Sequence, residues 1–225
     1  MLMKAIIFDC DGVLVESEAI YKEAELDFLS KIGLIYDRKE FTRRFMGMTE
    51  DRWYAEISQD YTDKFQSDFP TDFRERLVTH LHAEFDRRLE PVHQINLIIE
   101  GLSAPMAVAS SSELELLHRK LKKTALHTYF APHIYSGQQV QNGKPAPDLF
   151  LFAAEKLGVP ANDCCVIEDS RNGVIAGKAA DMHVIGFCGA SHCDEEHAES
   201  LYEVGADHVA MTTEDLQKYL YALST

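Results

Sequence analysis

The sequence is poor in positive charge. Its 225 residues include 22 Lys and Arg against 37 Asp and Glu, which gives a formal net charge of −15. Proteins that bind nucleic acid or anionic membranes need a basic surface, so this deficit argues against both partners. Hydrophobic residues make up 46% of the chain, which argues against disorder. The composition therefore predicts a folded protein that binds neither nucleic acid nor membrane.

Long apolar runs and a disulfide framework are also missing. The first apolar run, residues 5–8, is far shorter than the roughly 20 residues that a membrane span needs. Asp9 and Asp11 follow it at once, which is not the pattern of a signal peptide. The five cysteines are odd in number and two of them, Cys164 and Cys165, are adjacent, so disulfides are not expected. These features predict a cytoplasmic protein with reduced thiols.

Short apolar runs alternate with amphipathic segments over most of the chain. Strands that alternate with helices predict an α/β fold with a parallel sheet and helices on both faces. The predicted strands are residues 4–8, 106–109, 133–135, 164–167, 184–187 and 207–209. Helices are predicted between them over 113–121, 147–157 and 172–180, and after the last strand over 214–221.

The stretch after the first strand differs from the rest. A helix is predicted over residues 17–32, and residues 37–88 are rich in charged and aromatic residues without any strand-like run. Three further helices are predicted there, over 38–45, 50–60 and 71–88. We therefore predict two domains, a core of residues 1–15 and 89–225 and an all-helical insert of residues 16–88.

Polar residues follow four of the predicted strands, at the edge where parallel sheets carry their functional crevice. Crowded carboxylates repel one another unless a cation joins them, and Mg²⁺ is the hard divalent ion that suits such a set. A Ser hydroxyl and a Lys ammonium suit a phosphate group. Together they favour phosphoryl transfer through a covalent aspartyl-phosphate. The residues are Asp9, Asp11, Ser110, Lys144, Glu168 and Asp169.

Four segments resemble, in order, the four motifs of the haloacid dehalogenase (HAD) superfamily. They are FDCDGVLVESE at 8–18, VASS at 108–111, GKPAPD at 143–148 and IEDSRNG at 167–173. The resemblance implies a Rossmann-like, three-layer core, and it implies that the helical insert is a small cap domain. Such a cap is found in the branch that contains β-phosphoglucomutase and sugar-phosphate phosphatases.

The resemblance also implies a role for each motif residue. One aspartate would attack phosphorus and the other would serve as general acid and base, while a Ser and a Lys would hold the phosphoryl group. The nucleophile is Asp9, the acid and base is Asp11, the phosphate ligands are Ser110 and Lys144, and the Mg²⁺ ligands are Asp9, the Asp11 backbone carbonyl, Asp169 and, in or beside that shell, Glu168.

Within the family, a monophosphate hydrolase is the favoured hypothesis. The mutase branch carries a His where this chain has Tyr21, and a phosphate-binding Arg in the loop 45–50 where this chain has Glu50. A mutase and a non-catalytic binding protein on the same scaffold remain the alternatives. Resemblance to sugar-acid phosphatases implies a sugar or sugar-acid monophosphate such as 6-phosphogluconate, and a monomer or weak dimer is expected. Candidate specificity residues are Arg43, Arg44 and Arg52.

Two further features of the sequence depart from common patterns. Position 16 is Glu where Asp is usual in the family, which predicts an altered hinge after the first motif. Cys188, His192, Cys193 and His197 have the residue types of a zinc site but lack the short Cys-x2–4-Cys knuckle. Acidic residues at 194–196 favour a solvated loop and helix start there.

Overall fold

The computed structural model describes residues 3–45 and 48–224, with the backbone alone for Glu50 and Ser224. The described residues form two compact units. The sheet unit consists of Met1–Glu18 and Leu89–Thr225, and the helical unit consists of Ala19–Arg88. The chain therefore leaves the sheet unit after its first strand and returns to it once.

Six strands are found among the described residues, and they form one sheet. They are β1 (Ala5–Phe8), β2 (Met106–Ser110), β3 (Ile134–Ser136), β4 (Cys164–Glu168), β5 (His183–Phe187) and β6 (His208–Ala210). Their order is β3-β2-β1-β4-β5-β6, and every neighbouring pair is parallel. The predicted α/β fold with a parallel sheet is confirmed.

Helices connect these strands and build the helical unit. In the part of the chain that the structure describes, none is long and apolar enough to cross a bilayer. They are α1 (Ser17–Lys31), α2 (Arg38–Phe45), α3 (Glu50–Phe65), α4 (Phe73–Arg88), α5 (Ile95–Gly101), α6 (Leu114–Lys123), α7 (His127–Phe130), α8 (Asp148–Leu157), α9 (Arg171–Ala179), α10 (Glu195–Glu203) and α11 (Thr213–Ser224).

The position of β1 explains its sequence and places the first motif. All four of its side chains are fully buried, as expected for a central parallel strand covered on both faces, so its sequence is a continuous apolar run. The pairing with β4 extends one residue further, because the Asp9 amide donates to the Ile167 carbonyl at 2.9 Å. The ends of β1 and β4 therefore lie side by side, which brings their following residues together.

Two helices of the sheet unit are absent from the sequence prediction, and a third is predicted only at its start. Helix α5 begins after Gln94, which has a left-handed backbone (φ 60°) and makes no capping hydrogen bond, so no start signal precedes it. Helix α7 has only four residues. Helix α10 does have a start signal, because the Asp194 side chain accepts from the His197 amide at 2.9 Å.

The helical unit has its own hydrophobic core. Aromatic rings fill much of it, and Trp53 is buried there. Edge-to-face ring contacts such as Phe28 on Phe73, at 5.3 Å between centroids, stabilise such a core beyond the area they bury. The buried members are Phe28, Leu29, Leu34, Phe41, Phe45, Trp53, Ile57, Phe73 and Leu77.

Asp60 is the centre of an ion-pair network in the helical unit, and this network predicts a pH-dependent free energy of unfolding. It accepts two bonds from Arg44, at 2.6 and 2.9 Å, and one from Tyr36 at 2.5 Å. Burial alone would raise the pKa of Asp60, but these donors lower it below its ordinary value. The ionised Asp60 therefore stabilises the folded chain above the usual carboxyl pKa of about 3.9. This stabilisation is lost as the pH falls through the lowered pKa of Asp60 in the folded chain.

Asp60→Asn is accordingly expected to lower the free energy of unfolding by about 1 kcal/mol at neutral pH. The difference from the wild type should shrink toward about pH 3, where the unfolded carboxyl is protonated. Urea unfolding at several pH values measures this difference. Asp63→Asn is the control, because the exposed Asp63 carboxylate accepts only from Gln59 among the side-chain hydrogen bonds described. A pH-independent difference would contradict the assigned ion pair.

Candidate active site

Asp9 lies buried at the end of β1 and faces the carboxylates that follow β4. One oxygen from each of Asp9, Glu168 and Asp169 lies within 4.8 Å of the others. Burial raises the pKa of Asp9 above its ordinary value, because the attraction of Lys144 offsets only part of the desolvation and the neighbouring carboxylates add repulsion. Burial and repulsion from Glu168 raise the pKa of Asp169 in the same way.

Lys144 holds two of these carboxylates together. Its Nζ lies 2.6 Å from Asp9 Oδ1, 2.6 Å from Glu168 Oε1 and 2.9 Å from the Ala109 carbonyl. Its side chain is 4% exposed. Burial alone would lower the pKa of Lys144, but the two carboxylates raise it above its ordinary value, so the group is an ammonium at neutral pH.

The close approach of these groups depends on two glycines. A Cβ on Gly12 would lie 1.9 Å from Asp169 Oδ2, and a Cβ on Gly173 would lie 1.7 Å from Glu168 Oε1. Gly173 lies in the first turn of α9, so its missing side chain lets the Glu168 carboxylate rest on the positive end of that helix. The other Glu168 oxygen accepts from the amide and hydroxyl of Ser170, at 2.8 and 2.9 Å.

Asp11 lies in a second network beside the first. Its Oδ1 accepts from the Ser17 hydroxyl and from Lys120 Nζ, the latter at 2.5 Å, and its Oδ2 accepts from the Ser112 hydroxyl at 2.7 Å. Burial alone would raise the pKa of Asp11, but the charge and hydrogen bond of Lys120 bring it below its ordinary value. Asp11 is therefore held as a carboxylate in a fixed orientation.

Ser110 ends β2 and is buried. Its hydroxyl oxygen accepts from the Ser112 amide at 3.1 Å, which leaves its own proton available to donate. The structure thus places five of the six predicted motif residues at or just after the ends of β1, β2 and β4, and Lys144 reaches two of them from the segment between β3 and α8. Their roles in binding and chemistry stay predictions.

Lys120, Ser17 and Ser112 are site residues that the sequence prediction does not include. Lys120 is 1% exposed and also lies 3.0 Å from the Ser112 hydroxyl. The helical period does contain a signal for it, since Lys120 shares a face of α6 with the buried Leu117 and Leu121. A lysine on the apolar face of a helix needs a buried partner.

The three candidate specificity arginines lie in the helical unit and differ in their surroundings. Arg44 is bound to Asp60 and also to Glu56, with Nε 3.1 Å from Oε2. Arg52 is largely exposed and lies 3.3 Å from the other Glu56 oxygen. Arg43 is exposed on α2. A substrate contact by any of them stays a prediction.

The structure describes only some of the residues that distinguish phosphatases from mutases. The loop 46–47 and the Glu50 side chain lie outside the described residues. Tyr21 packs edge-on against Phe85, with 4.4 Å between ring centroids. Glu16 accepts from the Ser191 hydroxyl at 2.6 Å and from the Ser191 amide, so it tethers the loop after β5.

The donor set fits a hard divalent cation. Asp9, Glu168 and Asp169 present three buried carboxylates against the ammonium of Lys144, and their clustered oxygens are the ligand type that Mg²⁺ prefers. Glu168 has both oxygens engaged by protein donors, so Asp9 and Asp169 are the better placed carboxylate ligands. The backbone carbonyl of Asp11 stays the predicted third protein ligand.

Comparison with known proteins gives consistent matches. Residues 3–181 match the model of the haloacid dehalogenase-like hydrolases. A phosphorylated carbohydrates phosphatase from Thermotoga maritima is 30% identical over 207 residues, which is 91% of this chain and 92% of that protein. The 6-phosphogluconate phosphatase of Escherichia coli is 28% identical over 190 residues, covering 84% and 85% of the two chains.

A solved structure agrees over almost the whole chain. It is a HAD family hydrolase from Deinococcus radiodurans, with bound phosphate and sodium, and it superposes with a TM-score of 0.84 at 32% identity. The match covers 98% of this chain and 96% of that one.

Proposed function

We propose that this chain, which belongs to the haloacid dehalogenase-like hydrolase family, is a Mg²⁺-dependent phosphatase of a sugar or sugar-acid monophosphate. Its enzyme class is phosphoric monoester hydrolase, the class to which its relatives belong. A substrate such as 6-phosphogluconate is the specific candidate, in keeping with the relative that bears that name. The observation that carries the mechanism is the pair of lysine-held aspartates, Asp9 with Lys144 and Asp11 with Lys120.

In the proposed reaction, an Asp9 oxygen attacks phosphorus and the bond from phosphorus to the ester oxygen breaks. Asp11 gives the departing oxygen the proton that it took from water in the preceding turnover, and that oxygen leaves as the alcohol. Water then attacks the aspartyl-phosphate, Asp11 takes a proton from that water, and phosphate and free Asp9 are released. The lowered pKa of Asp11 suits this second step, in which it must be a carboxylate.

The remaining residues bind and orient. Lys144 and Ser110 would hold the phosphoryl oxygens, and Lys144 is already directed at Asp9. Mg²⁺, held by Asp9, Asp169 and the Asp11 carbonyl with Glu168 beside them, would supply positive charge where the phosphoryl oxygens lie. Without that charge the three buried carboxylates would repel an anionic substrate.

The mutase alternative makes a different prediction. A mutase must bind two phosphates and depends on a sugar bisphosphate primer, whereas the proposed hydrolase does not. Tyr21 supports the hydrolase, because at the position where mutases carry a His this chain has an aromatic ring packed edge-on against Phe85.

A substrate screen tests the proposal. The purified chain is supplied with Mg²⁺ and sugar, sugar-acid and nucleotide monophosphates, and released phosphate is measured. We expect turnover of a sugar or sugar-acid phosphate, and no need for a bisphosphate primer. If the product were instead an isomer of the sugar phosphate, and formed only when a bisphosphate primer is present, the mutase would be favoured.

Removal of the metal gives a second expected result. Excess chelator should abolish turnover, and added Mg²⁺ should restore it, because the three clustered carboxylates would otherwise repel the substrate phosphate. Circular dichroism with and without chelator serves as the control for folding. Full turnover in excess chelator would show that the site works without a divalent ion.

Lys120→Met tests the positioning of Asp11. Loss of the ammonium should lower kcat by roughly 10- to 100-fold with little change in KM, since Asp11 loses a charged partner at 2.5 Å while the phosphate ligands are unchanged. The pH–rate profile should shift to higher pH, because Lys120 lowers the pKa of Asp11. Lys122→Met, at an exposed position of the same helix, is the matched control. An unchanged profile would exclude this role for Lys120.

The proposal includes a cytoplasmic location and a monomeric or weakly dimeric chain. Five free thiols suit a reducing compartment, where phosphorylated metabolites are also found. Size-exclusion chromatography with light scattering measures the oligomeric state.

A further inference from the structure

A cluster of two thiols and one imidazole lies in the sheet unit, apart from the carboxylate set. Cys188 directly follows β5, Cys193 lies at the end of the following loop, and His197 lies in the first turn of α10. One ligand atom from each lies within 4.8 Å of the others. The sequence spacing favours a solvated loop here, yet Cys188 is buried and the other two are half-buried.

The distances suit a tetrahedral site for a thiophilic ion. Zinc binds sulfur at about 2.3 Å and imidazole nitrogen at about 2.0 Å, so ligand atoms around it lie roughly 3.6–3.8 Å apart. The observed cluster needs a contraction of about 1 Å at most, which rotation of a Cys or His side chain supplies. The loop between β5 and α10 brings the ligands together without a Cys-x2–4-Cys knuckle.

The orientation of His197 is an independent observation that points to a ligand. Its Nε2 lies 2.5 Å from the Asp169 backbone carbonyl, and a carbonyl can only accept, so Nε2 carries the proton. Nδ1 then presents its lone pair. A histidine that donates one ring nitrogen to a carbonyl and offers the other is the usual arrangement at protein metal sites.

The two sulfurs are also disposed for ligation. The Cys188 and Cys193 sulfurs lie within 4.8 Å of each other, and Cys193 Sγ also lies 3.3 Å from His192 Nε2. Thiols placed this close together can release their protons when a cation binds, which is how thiolate sites couple metal binding to deprotonation. Glu16 tethers the intervening loop through Ser191, so the loop is already held in place.

We propose that Cys188, Cys193 and His197 form a binding site for one thiophilic divalent cation of the zinc type, with water in the fourth position. It is separate from the carboxylate site, whose oxygen ligands select a harder ion. The two sites adjoin at Asp169. His197 donates to its backbone carbonyl, and His192 Nε2 lies 3.1 Å from its Oδ2. This inference does not depend on the phosphatase assignment.

Cobalt titration of the full, reduced and chelator-treated chain tests the proposal. Co²⁺ bound by thiolates gives a sulfur-to-metal charge-transfer band and strong tetrahedral visible bands, which Co²⁺ bound by carboxylates does not give. We expect these bands to saturate at one equivalent and to disappear when Zn²⁺ is added. Thermal unfolding should shift upward with one equivalent of Zn²⁺, because the metal binds the folded chain.

Variants test whether the metal binds at this cluster or elsewhere in the chain. Cys188→Ser and Cys193→Ser should abolish the charge-transfer band, and His197→Gln should weaken binding by more than about tenfold. Cys164→Ser, which removes a buried thiol at the start of β4, should leave the titration unchanged. Circular dichroism checks that each variant is folded, and the half-buried Cys193 and His197 keep the test valid if Cys188→Ser does not fold.

Three outcomes would overturn the proposal. The first is a reduced wild-type chain without charge transfer at stoichiometric cobalt. The second is a folded Cys193→Ser or His197→Gln variant with the wild-type titration. The third is a chain isolated with a Cys188–Cys193 disulfide that takes up no cobalt after reduction.

Discussion

Asp9→Asn should reduce turnover of every phosphate ester that the wild type hydrolyses by at least about 10³-fold. The amide has nearly the size of the carboxylate, but it is a very weak nucleophile and cannot form the aspartyl-phosphate. It also removes one of the three clustered carboxylates and the partner of Lys144 at 2.6 Å. Steady-state phosphate release measures the loss, and mass spectrometry of acid-quenched enzyme detects the phosphorylated aspartate in the wild type alone.

Asp163→Asn is the matched control. Asp163 precedes β4, at the opposite end of the sheet from the site, where it pairs with Lys4 at 2.9 Å. This variant should keep wild-type turnover. Wild-type activity in Asp9→Asn itself would remove Asp9 from the proposed mechanism.

Lys144→Met should lower kcat/KM by at least about 100-fold. Methionine retains the apolar contact with Phe150, over whose ring the Lys144 ammonium lies at 4.7 Å, but it removes the charge that binds Asp9 and Glu168. On the proposed mechanism, the phosphoryl group then loses a positively charged ligand. The raised pKa of Asp9 should rise further, so the variant should lose stability as the pH increases through the ionisation of that group.

Lys156→Met provides the comparison for this variant. Lys156 also lies over a phenylalanine ring, that of Phe152 at 5.0 Å, but it is exposed on the outer part of α8. Its replacement should change neither kcat/KM nor the pH dependence of unfolding. If Lys144→Met behaved like Lys156→Met, the phosphate-binding role of Lys144 would be wrong.

The sequence was sufficient to predict the sheet and the motif residues, for a physical reason. Central parallel strands must be apolar on both faces, so β1 and β4 stand out as short runs, and the residues after them must meet at one edge. Asp9 and Asp169 could therefore be predicted from position alone. The resemblance to the HAD motifs then supplied their expected roles.

Other features could not be predicted because their signals are not local. The helical period indicates that Lys120 is buried with Leu117 and Leu121, but its partner Asp11 lies 109 positions earlier in the chain and has no local signal. The thiol cluster could not be predicted for the same reason. Its geometry depends on the path of the loop between β5 and α10 and on the backbone carbonyl of Asp169, which follows β4. Sequence spacing alone favoured a solvated loop.

The order of the strands has a consequence for synthesis on the ribosome. β1 is made first, yet its partners β2 and β4 begin at Met106 and Cys164, so β1 has no neighbour while the helical unit is being made. The helical unit can complete its own core during that interval, because all buried members of that core lie between Phe28 and Leu77. The strand that precedes Asp9 is thus the first part of the sheet unit to emerge, and it stays unpaired until β2 has been made.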